Sequence, residues 1–171
     1  MKARTRILGV GSPFGDDRLG WIAVDLIRDS AWYRSRAAGS LSAQAFDRPG
    51  PALLAAMDGA AHAVLIDAMQ SGAAPGTVRK VELDRLEISA DRFASGHSLG
   101  LADTLILGKA LGLLPPRITL MTVERGCEQS QDGLTAAVHA ALLPLLKCVR
   151  ACVNDEESVL DRPLFSGRPL P

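Results

Sequence analysis

The sequence predicts a single α/β domain, a three-layer α/β/α sandwich around a mostly parallel, twisted sheet of about five strands. Short apolar runs of strand length alternate along the chain with segments whose apolar residues recur at helical spacing. The chain has 171 residues, of which 47% are hydrophobic and 22% charged, as in one ordinary globular domain. A chain of this length buries a core without needing a disulfide or a metal merely to fold.

The first half of the chain alternates strands with helices. The apolar run 6–11 predicts a buried strand, and residues 17–28 carry apolar side chains at helical spacing. Residues 38–46 are a weaker strand candidate, and a proline in the first turn indicates a short helix over Pro51–Met57. The run 63–68 is short, apolar and the clearest buried strand.

The second half continues the same alternation. Residues 77–83 alternate between apolar and polar and predict a more exposed edge strand. A helix is expected over 99–113, before a pair of prolines, and another strand over 118–123. The last predicted helix covers 134–153, with Pro144 as the expected site of a kink.

The chain ends and the overall charge restrict location and partners. Residues 1–153 are predicted to form the domain, and 154–171, with three prolines, a loosely packed or disordered tail. The N-terminal apolar run is shorter than the roughly 7–15 residues of a signal peptide, and no segment approaches the ~18 consecutive apolar residues of a membrane span. The formal net charge of +0 gives no support for a nucleic-acid partner. We expect a cytoplasmic protein without membrane insertion.

Acidic side chains follow the predicted strands. Asp16 and Asp17 come after the first strand, Asp47 ends the second candidate, Asp67 lies near the end of the third, and Glu124 follows the last. Ligands of open α/β sheets bind outside the carboxyl ends of the strands. We therefore expect these carboxylates to converge on one edge of the sheet.

His97 precedes a helix that is expected to pack beside the same edge. Carboxylate oxygens and a neutral imidazole are ligands for divalent metals, and such a set accepts nickel, zinc, manganese or iron. Structural roles stay open for each residue: Asp16 or Asp17 as a helix cap, Asp67 as a buried hydrogen-bonding group, and His97 as a capping or surface residue.

Two other patterns are weaker. Gly9 and Gly11 fit the start of a dinucleotide-binding G-x-G-x-x-G, but position 14 is Phe. The two acids that follow occupy the place where a pyrophosphate needs N–H donors, so no nucleotide cofactor is expected. The three cysteines, Cys127, Cys148 and Cys152, form no C-x-x-C pair and are interpreted as core thiols, with a redox or metal pair as the alternative.

Several motifs occur together in a fixed order. They are Gly9-Val10-Gly11-Ser12 followed by Asp16-Asp17-Arg18-Leu19-Gly20, then Ile66-Asp67-Ala68, Pro75-Gly76-Thr77, and His97-Ser98-Leu99-Gly100-Leu101-Ala102-Asp103. In this order and spacing, from about residue 6 to residue 153, the chain resembles the nickel–iron hydrogenase maturation proteases. It departs from the family pattern at Ser12, where the family has Asn, at Arg18, where it has Gly, and over 124–127, which lacks the usual proline and glutamate.

The resemblance implies an aspartic-type, nickel-dependent endopeptidase that removes the C-terminal peptide from the nickel-loaded precursor of a hydrogenase large subunit. It implies Asp17, Asp67 and His97 as metal ligands, with their catalytic role exerted through the metal. The nickel would be that of the precursor, and zinc or another divalent ion could substitute in vitro. The metal would serve recognition, Lewis-acid assistance or both. An independent metallohydrolase acting on small peptides or amides and a non-enzymatic metal-binding module remain as alternatives.

Overall fold

The computed structural model describes residues 4–36, 38–84, 88, 99–126 and 133–160. Within them, strands and helices follow one another in the predicted order. The strands are β1 (Thr5–Gly11), β2 (Leu41–Asp47), β3 (His62–Met69), β4 (Val78–Asp84) and β5 (Arg117–Glu124). The helices are α1 (Leu19–Asp29), α2 (Ala31–Arg34), α3 (Pro51–Met57), α4 (Leu99–Ala110) and α5 (Ala136–Leu160), and a 3-10 helix (Gly15–Arg18) joins β1 to α1.

The sheet has the order β2-β1-β3-β5-β4. β1 pairs in parallel with β2 and β3, β3 pairs in parallel with β5, and β4 runs antiparallel to β5 at the edge. The carboxyl ends of β1, β2, β3 and β5 therefore lie along one edge of the sheet, called here the carboxyl edge. The predicted α/β class, the mostly parallel sheet and the edge position of β4 are confirmed.

Helices cover both faces of the sheet. All eight residues of β3 are buried, as expected for a central strand with a helix layer on each side. Val64 and Ile66 pack into a core with α1 and α5, whereas Ala63 and Leu65 pack into a second core with α3 and α4. This alternation confirms the predicted three-layer sandwich and places the side chain of Asp67 on the α3/α4 face.

Some element boundaries differ from the predictions. α1 begins at Leu19 rather than at 17, because the 3-10 helix occupies the preceding residues. The short helix α2 was not predicted. β2 begins at Leu41, and α4 ends at Ala110, where Gly112 with a φ of 68° terminates the helix in the left-handed conformation.

The last helix extends beyond its predicted end. α5 continues past Val153 to Leu160, since residues 154–160 contain no glycine or proline to stop it. Residues 161–171, the rest of the predicted tail, lie outside the described residues. The boundary between a domain over 1–153 and a tail over 154–171 stays a prediction.

By length and composition alone, α5 between Ala136 and Asp155 could cross a membrane, although it contains no run of about 18 consecutive apolar residues. Core helices of globular proteins satisfy the same criterion. Val138, Leu145 and Val149 are completely buried in the core that α5 shares with α1 and the sheet. This packing accounts for the apolar residues on the buried face of α5.

Candidate active site

The glycines of the first turn bring α1 against β1. A Cβ atom on Gly9 would overlap the carbonyl oxygen of Gly20, and one on Gly20 would overlap the carbonyl oxygen of Val10. The turn also closes on itself, because the backbone N–H of Ser12 donates to the carbonyl of Asp17 at 3.2 Å. These contacts hold the two adjacent acids at the carboxyl edge.

Asp16 is a buried structural group. Its carboxylate accepts hydrogen bonds from the backbone N–H of Gly126 at 2.9 Å, and from the N–H and hydroxyl of Thr135 at 2.7 and 3.0 Å. It thereby links the turn to the segment after β5 and to the approach to α5. Neither the 3-10 helix nor α1 has a side-chain N-cap, so the capping role considered for Asp16 and Asp17 is wrong.

Asp17 is more accessible, with a side chain that is 37% exposed. Its Oδ1 lies 3.3 Å from Nη1 of Arg125, and its Oδ2 accepts a hydrogen bond from the Ser12 hydroxyl at 3.3 Å. Ser12, which departs from the family pattern, thus supports the predicted ligand directly. The carboxylate is oriented by both contacts while remaining within reach of solvent.

Arg125 connects three loops at the carboxyl edge. Its side chain contacts Asp17 after β1, its Nη2 donates to Oε1 of Gln70 at 2.6 Å, and its backbone N–H donates to the carbonyl of Met69 at 2.8 Å. Arg125 was not among the predicted site residues; it lies in the segment 124–127 that departs from the family pattern. The sequence did indicate that Arg125 lies near the site, because it directly follows a predicted strand and its acidic neighbour Glu124.

Asp67 lies deeper, near the end of β3, with 7% of its surface exposed. The 3-10 helix that carries Asp17 packs against β3, so both predicted aspartates belong to the same edge. In the register of β3 and β5, Asp67 stands opposite Thr122, whose buried hydroxyl has no hydrogen-bond partner in the described part of the chain. Asp67 therefore has a buried polar residue beside it in the sheet.

His97, the third predicted ligand, lies outside the described residues. The described start of α4 does reach the carboxyl edge, because a Cβ atom on Gly100 would lie 3.0 Å from Cγ of Pro49, which follows β2. Among the residues that the structure describes, no three His, Cys, Asp or Glu side chains are grouped to hold a metal ion. Carboxylates such as those of Asp17 and Asp67 are ligands that divalent metals accept.

The other two acids at this edge have structural or exposed positions. Glu124 is buried and accepts hydrogen bonds from the N–H and hydroxyl of Ser71, both at 2.7 Å, and from the N–H of Gly72 at 2.8 Å. Burial acts to raise the pKa of Glu124, but these hydrogen bonds outweigh it and hold the pKa below its ordinary value. Asp47 is exposed and pairs with Arg48 at 3.7 Å.

The remaining histidines and cysteines lie away from the edge or on the surface. His62 is buried at the start of β3, where its Nε2 lies 2.8 Å from the hydroxyl of Thr119, and His139 is exposed on α5. Cys152 is a core thiol as predicted, whereas Cys148, one helical turn earlier, is exposed, and the prediction for it is wrong. Cys127 lies outside the described residues.

The fold and this edge define an α/β protein whose candidate site is formed by aspartates at the carboxyl ends of adjacent parallel strands. The family model HycI, hydrogenase maturation protease, matches residues 49–151, more than half of the chain. The chain belongs to the hydrogenase maturation protease family. The matched region contains Asp67 and His97 and begins after Asp17.

Individual relatives agree with this assignment. The Hydrogenase 2 maturation protease of Escherichia coli (strain K12) is 32% identical over 107 residues, which cover 62% of this chain and 65% of that protein. The match thus spans less than two thirds of the relative's length.

Solved structures resemble the chain over more of its length. The hydrogenase maturating endopeptidase HybD from E. coli superposes with a TM-score of 0.75 and 27% identity, covering 90% of this chain and 93% of that one. The [NiFe] hydrogenase maturation protease HybD from Thermococcus kodakarensis gives a TM-score of 0.70 at 21% identity and covers 88% of this chain and 99% of that one. At this identity the similarity shows a shared fold only.

Proposed function

We propose that this protein is an endopeptidase that removes the C-terminal peptide of a nickel-loaded hydrogenase large-subunit precursor. The observation that carries the proposal is the position of Asp17, after β1, and of Asp67, near the end of β3, along the carboxyl edge of a chain that belongs to the maturation protease family. The sequence offers no H-E-x-x-H helix, and we assign the chemistry to the aspartates together with the metal.

In this proposal the nickel belongs to the precursor, which is the substrate. Asp17, Asp67 and His97 bind it when the precursor docks. Asp67 supplies a buried carboxylate near the end of β3. Asp17 supplies an accessible one from the neighbouring strand end. Held by these groups, the precursor would present its scissile bond above the edge, and a divalent metal there can polarise a peptide carbonyl.

The proposal extends to location and to metal preference. The protein acts in the cytoplasm on a folded precursor. A hydrogenase precursor as partner is supported by the matching family and relative, both of which are hydrogenase maturation proteases. Zinc or another divalent ion substitutes for nickel in vitro, because carboxylate and imidazole ligands accept several such metals.

The direct experiment incubates the purified full-length protein with the precursor, prepared with and without nickel, and follows intact mass. We expect loss of a C-terminal peptide from the nickel-loaded precursor alone. If the loaded precursor stays intact, the proposed endopeptidase activity is wrong; if both forms are cut equally, the nickel dependence is wrong. Rapid turnover of short generic peptides with added zinc would instead favour an independent metallohydrolase.

The ligand set has a test of its own. A site completed by the precursor should bind free metal weakly, so calorimetric titration of nickel is expected to give low affinity for the wild type and lower affinity for His97→Ala. Equal binding by the two proteins would remove His97 from the ligand set.

A further inference from the structure

Asp17 already has a cation beside it. The guanidinium of Arg125 lies 3.3 Å from Oδ1, while Oδ2 faces the hydroxyl of Ser12. Both oxygens of the predicted ligand are thus engaged by groups of the chain itself. A metal that approaches Asp17 has to displace one of these contacts or share the carboxylate with a positive charge.

Two further hydrogen bonds hold Arg125 in position beside Asp17. Its second terminal nitrogen, Nη2, donates to Gln70 at 2.6 Å, and its backbone N–H donates to Met69. The two charged side chains are 29% and 37% exposed, so the pair is solvated and weak enough to exchange. A guanidinium also keeps its charge throughout the working pH range.

We propose that Arg125 is a specificity-determining residue that occupies Asp17 in the free protein and excludes free metal ions from it. The inference rests on the proposed role of Asp17 as a metal ligand. A dication and a guanidinium at one carboxylate repel each other, so a lone hydrated ion gains little there. A metal already fixed in a docked precursor is brought to Asp17 by the whole interface, and the released guanidinium keeps its hydrogen bond to Gln70.

The test is calorimetric titration of Ni²⁺ into the full-length wild type and Arg125→Met, which retains the aliphatic stem. We expect Arg125→Met to bind Ni²⁺ about three- to tenfold more tightly, because a competing positive charge has been removed. Arg48→Met is the matched control: it removes a positive charge after β2, from a side chain that pairs with Asp47 instead. Its affinity should equal that of the wild type.

Two results would overturn the inference: equal affinities for Arg125→Met and the wild type, or the same gain in Arg48→Met. The gain should also vanish when Asp17→Asn is added, and a gain that persists places the metal elsewhere and overturns the inference. Arg125→Gln provides a second substitution if Arg125→Met does not fold. An uncleaved precursor combined with a gain that depends on Asp17 would defeat the proposed function and leave the role of Arg125 standing.

Discussion

Hydrogen bonds divide the neighbouring carboxylates Asp16 and Asp17 into a structural and an accessible group. Asp16 receives three hydrogen bonds from residues that lie after β5. Asp17 faces Ser12 and Arg125 at the surface of the same edge. Substitutions at the two positions should therefore affect different properties.

Asp16→Asn is expected to destabilise the protein by about 1–3 kcal/mol, because an amide replaces one acceptor oxygen with a donor and leaves buried groups poorly paired. Urea unfolding measures the change in the free energy of unfolding. Asp47→Asn, at an exposed ion pair, is the control and should change it by about 0.5 kcal/mol or less. Equal losses in the two variants would contradict the structural role of Asp16.

Glu124 predicts a pH dependence of stability. Its folded-state pKa is held below the ordinary value of 4.5, so its contribution is present above pH 4.5 and is lost as the pH falls through the folded-state pKa. Glu124→Gln should lower the free energy of unfolding near neutral pH by about 1–3 kcal/mol. The difference from the wild type should shrink in acid, as urea titrations across that range will report. A constant difference at every pH would argue against an ionised, hydrogen-bonded Glu124.

The sequence could locate these residues but could not assign their roles. The position of Asp67 at the end of an apolar run already predicted a carboxylate near the carboxyl edge. Asp16 and Asp17 could not be distinguished in the same way, because the partners of Asp16 lie more than a hundred residues further along the chain. The position of Arg125 beside Asp17 is a similarly distant contact.

At the scale of elements, the β1–turn–α1 unit depends on close backbone contact. Gly9 on β1 packs against the backbone of α1, and Gly20 on α1 packs against the backbone of β1. Neither position has room for a Cβ atom. The glycine-rich pattern suggested a nucleotide-binding turn only superficially, since its glycines allow α1 to pack directly on β1. The 3-10 helix between them was not predicted, because such short turns depend on local hydrogen bonds rather than on hydrophobic periodicity.

Gly20→Ala should destabilise the protein by about 1–3 kcal/mol or more, since the new methyl group meets backbone atoms that cannot move aside independently. Thermal and urea unfolding provide the measurement. Gly126→Ala is a milder control, because its Cβ atom would meet the Thr135 methyl group at 3.3 Å, where a side chain can adjust. A Gly20→Ala protein as stable as Gly126→Ala would show that the contact is not tight.

At the scale of the whole molecule, the sandwich separates two polar regions at opposite ends of the sheet. At the end remote from Asp67, Glu82 on β4 lies among Lys80, Thr119 and Arg117. Burial acts to raise the pKa of Glu82, but hydrogen bonds from these three side chains bring it to about 2. This remote carboxylate belongs to the support of the β4–β5 pair.

The architecture was predictable because alternating strands and helices with a buried central strand allow few arrangements. The strand order, which places β5 between β3 and β4, rests on pairing across the sheet rather than on any local pattern. The extension of α5 to Leu160 was missed since polar residues after Val153 suggested a tail, although nothing in them prevents a helix.

The most direct measurement compares the processing of nickel-loaded precursor by the wild type, Asp67→Asn and Glu82→Gln, with folding checked by circular dichroism. We expect the wild type and Glu82→Gln to release the C-terminal peptide at similar rates. Asp67→Asn should be slower by about a hundredfold or more, as when a group essential to the transition state is lost. Processing by Asp67→Asn at the wild-type rate would contradict an active site at the carboxyl edge.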